Sequence, residues 1–368
     1  MYDAIVVGAR CGGSPTAMLL ARAGYRVLLV DKATFPSDIM STHYIQPPGI
    51  ARMARWGLVD RLREADTPSI TKVTLNMNGL IFSPPPPAGQ DSPPEAFCPR
   101  RFVLDKILVD AAREAGAEVR EGFSVREITM EGDRVTGIRG QSGGESVSEE
   151  GRIVIGADGM HSLVAKTVGA DEYDTIPSLS YGYYAYWSGM QLEGAELSFL
   201  PGGGTLAFPT NDGLTCLGVG GAIDDFHRFR EDVEGNYMAV VNANPRYAEF
   251  VEDGAKRETK FVGTADQPNF FRKPYGPGWA LVGDAGYHRD FVTGLGITDA
   301  FRDADLLAAA IDAGFAGRQP LEEALAHYES ERNEIAKPLY DFTTSLARLD
   351  GPPSLELFAT FGGAMQRT

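Results

Sequence analysis

Short, wholly apolar runs, each closed by glycine or an acid, punctuate this chain. The first, Ala4-Ile5-Val6-Val7, has the character of a buried strand and runs into Gly8-Ala9-Arg10-Cys11-Gly12-Gly13, where a strand must turn into a helix. From Ser14 to Gly24 the apolar residues Ala17, Met18, Leu19, Leu20, Ala21 and Ala23 predict that helix, stopped by a glycine. A second buried strand, Val27-Leu28-Leu29-Val30, ends in Asp31. Two later runs have the same form: Arg152 to Gly156 leads into Ala157-Asp158-Gly159, and Trp279 to Val282 leads into Gly283-Asp284-Ala285. Ser162 is placed to cap a helix beginning near Leu163, and Gly294-Leu295-Gly296-Ile297-Thr298 opens a helix through Asp303, Leu306, Leu307 and Ala310.

Between these runs the pattern changes. Ile50 to Trp56 and Leu104 to Gly116 read as helices, and strands are expected around Val119, from Val125 to Met130 and from Val135 to Arg139. Thr71 to Phe82 reads as a hairpin around Asn78-Gly79, followed by an extended loop at Pro84 to Pro87 and Pro93-Pro94. Ser178 to Gly221 predicts a twisted sheet with aromatic residues, among them Tyr181, Tyr183, Tyr184, Tyr186 and Trp187, on one face. Phe226 to Phe250 looks helical, and Leu321 to Leu349 reads as a closing helix bent or broken at Pro338. The expected fold is α/β: a three-layer, Rossmann-type FAD/NAD(P)-binding fold carrying an inserted β-sheet domain. Residues 1–70, 98–170 and 262–335 would form the nucleotide lobe, 71–97 and 171–261 the sheet lobe, and 336–368 a C-terminal helical segment.

The spacing of the first unit carries its chemistry. Gly8 permits the tight turn, Gly13 lets the helix pack close to the strand, and the N–H groups of the first helical turn, beside Gly12, would face a pyrophosphate. Asp31, with Lys32 beside it, stands where a carboxylate can accept the hydroxyls of an adenosine ribose and repel a 2′-phosphate, favouring FAD or NAD over NADP. Arg10 occupies the middle glycine position of GxGxxG, where its guanidinium could pair with the phosphates. A glycine-rich turn without a ligand is the bland alternative.

Composition narrows the classes. The chain has 368 residues, is 43% hydrophobic and 23% charged, and has a net charge of −16, which makes nucleic acid and anionic membrane poor partners and a small molecule the expected one. Cys11, Cys98 and Cys216 form no CxxC pair, and no leader or long apolar run is visible, so a cytoplasmic setting is expected. Five scattered histidines offer no metal-ligand spacing. One of them, His43, lies in a polar loop after Asp31, where it could face cofactor or substrate or serve as an ordinary hydrogen-bonding residue.

With three such stretches in this order, the sequence resembles the single-component FAD-dependent monooxygenases of the para-hydroxybenzoate hydroxylase type, a family related to reductases and halogenases. The resemblance spans residues 2–170 and 262–335. It implies that Gly8 to Gly13 and Asp31 bind the ADP half of FAD and that Arg101 reaches back to the cofactor. Asp158 and Gly159 would match a motif tied to FAD and NAD(P)H use. Gly283-Asp284 would accept a ribityl hydroxyl, and Gly294 to Thr298 would form the turn beneath the flavin ring. The chain departs from the family at Phe291, in place of a proline beside the flavin, and at Thr298, in place of asparagine; the halogenase signature WxWxIP is absent. The implied activity is NAD(P)H-dependent hydroxylation of an aromatic or polyketide-like molecule through a flavin hydroperoxide, with Tyr184, Phe291 and His43 as candidate catalytic residues. A reductase or dehydrogenase on the same fold, and a protein that keeps FAD as a structural part, are the alternatives.

Overall fold

A computed structural model describes residues 1–77, 79–83, 94–200, 202–351 and 354–367. The apolar runs form the centre of the molecule. Strand β1 (Tyr2–Val7), helix α1 (Gly13–Arg22) and strand β2 (Val27–Val30) follow one another as the pattern predicts. The chain then supplies β3 (Val73–Met77), α2 (Arg101–Glu114), β4 (Glu118–Arg120), β5 (Glu145–Gly156) and α3 (Leu163–Val168). Four strands come next: β6 (Ser180–Ser188), β7 (Ala195–Leu200), β8 (Gly203–Pro209) and β9 (Thr215–Ala222). Strand β10 (Trp279–Leu281) and helices α4 (Gly296–Phe315) and α5 (Leu321–Leu346) lead towards the C-terminus.

Strands β10, β5, β1, β2 and β4 lie side by side and parallel, with Ile5 opposite both Val154 and Leu28. Because side chains alternate along a strand, Ala4 and Val6 bury against the helical layer while Ile5 and Val7 bury on the opposite face. That second face is covered by an antiparallel hairpin, residues 124–142, continued by the first half of β5. The result is the expected three-layer arrangement of helices, parallel sheet and antiparallel sheet.

The second lobe is a mixed sheet in the order β6, β9, β8, β7, β3, edged by Leu80–Phe82. The flanks of the expected Asn78-Gly79 hairpin pair antiparallel, Leu75 with Phe82 and Met77 with Leu80, while Asn78 itself and Pro84–Pro87 and Pro93 lie outside the described residues. Three helices, Phe226–Glu231, Val233–Ala243 and Pro245–Glu252, cover one face of this sheet. The other face looks toward the nucleotide lobe.

Two expectations change. The aromatic cluster does not share one face: strand alternation sends Tyr181 and Tyr183 to the helical side, where their rings lie 5.0 and 5.5 Å from Phe229, and Trp187 donates to the Tyr237 hydroxyl at 3.1 Å. Of the bend or break expected at Pro338, the break does not occur: one helix runs from Leu321 to Leu346, across the boundary expected at 335–336. A proline deletes one N–H and strains one turn. Burial of Arg332, Ala336, Leu339 and Tyr340 on either side holds the helix together.

The tightest backbone approach is at Gly13, where an added Cβ would lie 1.8 Å from the Gly8 carbonyl oxygen. We expect Gly13→Ala to lower the urea unfolding midpoint, at a cost of at least roughly 1–3 kcal/mol. Gly362→Ala, in a helix with open space around it, should raise stability by about 0.5–1 kcal/mol. Equal midpoints for the two variants would refute the packing argument.

Candidate functional site

A cavity of about 830 Å³ runs from the first glycine turn to the inner face of the second sheet. Its nucleotide end is set by backbone. Gly8 has φ +105°, and a Cβ there would lie 2.4 Å from the Ala157 carbonyl oxygen; a Cβ on Gly12 would lie 3.5 Å from Val282 and 3.7 Å from Gly283. One turn therefore touches both of the later acid-terminated stretches. Two helices that begin at the cavity, α1 at Gly13 and α4 at Gly296, have no side-chain cap. Helix α3, by contrast, is capped by the Ser162 hydroxyl, which accepts from the Ala165 N–H. Uncapped helix starts leave N–H groups for an anion or a polar ring edge; at α1, where the Ser14 N–H donates to the Arg10 carbonyl and Pro15 has none, these are the N–H groups of Gly12 and Gly13. This close-approach backbone and its free donors fit an adenine dinucleotide with a diphosphate.

The acids differ in how they are occupied. Asp31 accepts from the Ala9 N–H at 2.7 Å and the Ala33 N–H at 2.8 Å, one bond to each oxygen. An ionised carboxylate has about four acceptor sites, so both oxygens keep capacity for a ribose. Asp158 is turned toward α3, accepting from the Ser162 hydroxyl at 2.5 Å and the Leu163 N–H at 2.6 Å; burial nevertheless raises its pKa. Asp284 is exposed within the cavity lining. Lys32 is exposed at the edge of the same cavity, and Gly159 with φ +81° lines it.

Arg10, expected beside a pyrophosphate, lies along the cavity with its guanidinium paired to Asp105 and donating to the Ser37 hydroxyl at 3.0 Å. The fully buried Asp105 also holds Arg101 through a 2.9 Å ion pair. The sequence reading missed Asp105 as the shared partner; its spacing of four from Arg101 was the available signal. Cys11, in the same cluster, is pushed up to about 12 by burial.

At the sheet end, Gly296 and Ile297 line the cavity, with Gly294 in a left-handed turn and Leu295 buried behind them. Thr298 faces away: it is fully buried and accepts from the Gln46 N–H at 3.1 Å. Phe291 bridges the lobes, its ring lying 2.6 Å from where a Cβ on Gly182 would be. Asp290, which the sequence reading passed over, bridges them too, accepting from the Ser180 hydroxyl at 2.7 Å. Burial raises its carboxyl to about 6.

Tyr184 lines the cavity, as do Ser41 and Thr42, but His43 in the same loop is turned away from it into the hydrogen-bonding role that was the alternative. His43 is fully buried, with φ 63°, and its Nε2 is 2.8 Å from the Tyr186 hydroxyl. Its ring meets Tyr184 edge-on at 5.5 Å. The segment turns inward because Ser41 accepts from the His43 N–H and the aromatic pair shelters the ring. Burial, with Arg101 and Arg100 nearby, lowers its pKa to about 3.

A parallel sheet with close-approach glycine turns, joined by one cavity to a second sheet, is the architecture of a two-lobed dinucleotide-binding protein. The comparisons narrow this. The model of the FAD binding domain family matches residues 1–199, and the chain belongs to that family of FAD-dependent oxidoreductases. It is 27% identical over 355 residues to a digeranylgeranylglycerophospholipid reductase of Methanocella arvoryzae, covering 92% of this chain and 84% of the relative. Two solved structures share the fold. The myxobacterial chondrochloren halogenase CndH has a TM-score of 0.86 at 23% identity, covering 99% of this chain and 86% of that one. PqsL, described as a probable FAD-dependent monooxygenase from Pseudomonas aeruginosa, has a TM-score of 0.80 at 20% identity, covering 99% of each. Among the described residues no helix is long and apolar enough to cross a membrane.

The environment of His43 has a pH consequence. Its pKa falls from 6.5 to about 3 on folding, so the stability it contributes is present above pH 6.5 and is lost as pH falls toward 3. Asp290 acts oppositely: raised from 3.8 to about 6, it favours the fold at low pH, and that contribution is lost as pH rises through 6. We expect His43→Asn, whose side chain tolerates positive φ, to flatten the fall in Tm between pH 7 and pH 5. A parallel fall in wild type and variant would show that His43 is not held neutral.

Proposed function

We propose that this protein is an NAD(P)H-dependent FAD monooxygenase acting on an aromatic or polyketide-like small molecule. The observation that carries the reading is the continuity of one cavity from the glycine turn to a sheet wall bearing Tyr184, with Phe291 where the lobes meet. Bound FAD would supply two-electron redox chemistry and, once reduced, reaction with dioxygen.

In this reading Gly8, Gly12, Gly13 and the uncapped start of α1 take the diphosphate. Arg10 and Arg101, sharing one Asp105, leave a net positive charge there. Asp31 would take the ribose with Lys32 beside it, Asp284 would accept a ribityl hydroxyl, and Asp158 with Gly159 would shape the cofactor side of the turn between β5 and α3. The N–H groups of Gly296 and Ile297, presented by the Gly294-Leu295 turn, meet the polar edge of the ring. Tyr184 and Phe291 then orient a substrate and exclude water, and His43 fixes the Tyr186 hydroxyl behind them.

A reductase is the second reading, favoured by the similarity to the Methanocella reductase over 92% of this chain. Oxygen uptake separates the two. With FAD-loaded protein and NADH or NADPH, we expect a candidate aromatic to accelerate oxygen consumption and to appear hydroxylated in equal amount. Nicotinamide oxidation without oxygen uptake, accompanied by saturation of a substrate double bond, would establish the reductase. Asp284→Ala should weaken FAD binding by about tenfold or more, the loss of one hydrogen bond to a charged group; unchanged affinity would remove Asp284 from the cofactor site.

A further inference from the structure

The inner face of the second sheet is rich in glycine, and most of these glycines are required by their neighbours. A Cβ on Gly204 would lie 2.1 Å from the Ser198 carbonyl oxygen, one on Gly220 2.7 Å from that of Tyr181, and one on Gly182 2.6 Å from Phe291. Gly218 is different. The nearest atom to a Cβ there would be the Leu206 carbonyl oxygen at 3.5 Å, an ordinary contact, and its φ is not positive. The strand would accept a side chain at this position.

Register shows where that side chain would go. Gly218 is paired with Tyr184 on one side and Leu206 on the other, so all three share a face, and all three line the cavity. The next row along the same face, Tyr186, Cys216 and Phe208, is buried and closes one end. Tyr184 and Leu206 stand two strand spacings apart, about 9–10 Å. A glycine between them leaves a slot with a backbone floor, one ring wide.

The slot has no cation of its own. Strands β3, β6, β7, β8 and β9 contain no lysine, arginine or histidine. Of the guanidinium groups lining the cavity, Arg10 and Arg101 share Asp105, Arg289 is paired with Asp299, and Arg126 is exposed on the sheet of the nucleotide lobe; Arg100, over the Tyr186 ring at 4.6 Å, is paired with Asp212 at 3.3 Å. A carboxylate pressed against this face would be desolvated without a partner.

We propose that Gly218 is the specificity-determining residue of the sheet end of the cavity, and that the group it admits is flat, largely apolar and uncharged. This rests on the flavoprotein reading above and adds the substrate class. The test is ligand binding to FAD-loaded protein, followed by calorimetry and by the flavin absorbance, with 1-naphthol, 1-naphthoate and farnesol as probes. Wild type should bind 1-naphthol at least about tenfold more tightly than 1-naphthoate. Gly218→Ala and Gly218→Val should weaken 1-naphthol binding progressively, with valine costing about tenfold or more, the usual discrimination of an apolar pocket against added methyl groups. FAD content should not change. Gly218→Val combined with Leu206→Ala, which reopens the slot, should recover binding.

Unchanged naphthol affinity in Gly218→Val would overturn the assignment of the floor. Equal or tighter binding of 1-naphthoate would overturn the neutral class. Binding of farnesol alone, or of no probe while FAD stays bound, would overturn the flat one. A wild-type chain that takes up no FAD would overturn the cofactor reading and this inference with it, and flavin absorbance reports that before any probe is added.

Discussion

Everything at the nucleotide end depends on how closely one turn of backbone can approach its surroundings. Gly13 sits so near the Gly8 carbonyl that even one added carbon would collide with it, and a carbon added to Gly8 would collide with the carbonyl of Ala157. Gly12 lies against Val282 and Gly283. Three stretches widely separated in sequence thus meet at one glycine turn, and each ends in an acid: Asp31, Asp158 and Asp284. The parallel order of β1, β2, β5 and β10 makes this meeting possible, because their carboxyl ends all open on the same edge.

The same turn carries its own electrostatic arrangement. Two arginines brought together at this turn would repel each other without a counter-charge, and Asp105 on α2 supplies one by pairing with both. Its complete burial makes the partnership costly to break, so α2 fixes the arginines in place. Arg10, in the middle glycine position of GxGxxG, is thereby held by Asp105 and the Ser37 hydroxyl.

The sheet lobe faces a different constraint. Each strand must serve a helical core on one side and a cavity on the other, so residue chemistry alternates with a period of two. Tyr181, Tyr183 and Trp187 hold the helices, while Tyr184 and Tyr186 face the other way with His43 packed behind them. The lobes are tied by Phe291 lying over Gly182 and by the Ser180–Asp290 hydrogen bond. The cavity between them is therefore bounded by specific contacts.

The sequence alone determined the local units. Apolar runs closed by glycine or acid located β1, β2, β10 and the end of β5 and the starts of α1, α3 and α4, because a parallel strand buried on both faces must be apolar and a tight turn must relieve its Cβ. Ser162 as a cap and the paired flanks of the hairpin before Phe82 were legible for the same local reason. What the tertiary structure decided is which face each side chain meets. Alternation divided the aromatic cluster, burial carried His43 out of its polar stretch, and Asp105 claimed Arg10, since each of these depends on partners tens to hundreds of residues away. Pro338 stayed inside a continuous helix because packing on both sides outweighed one lost hydrogen bond, a balance no local signal records.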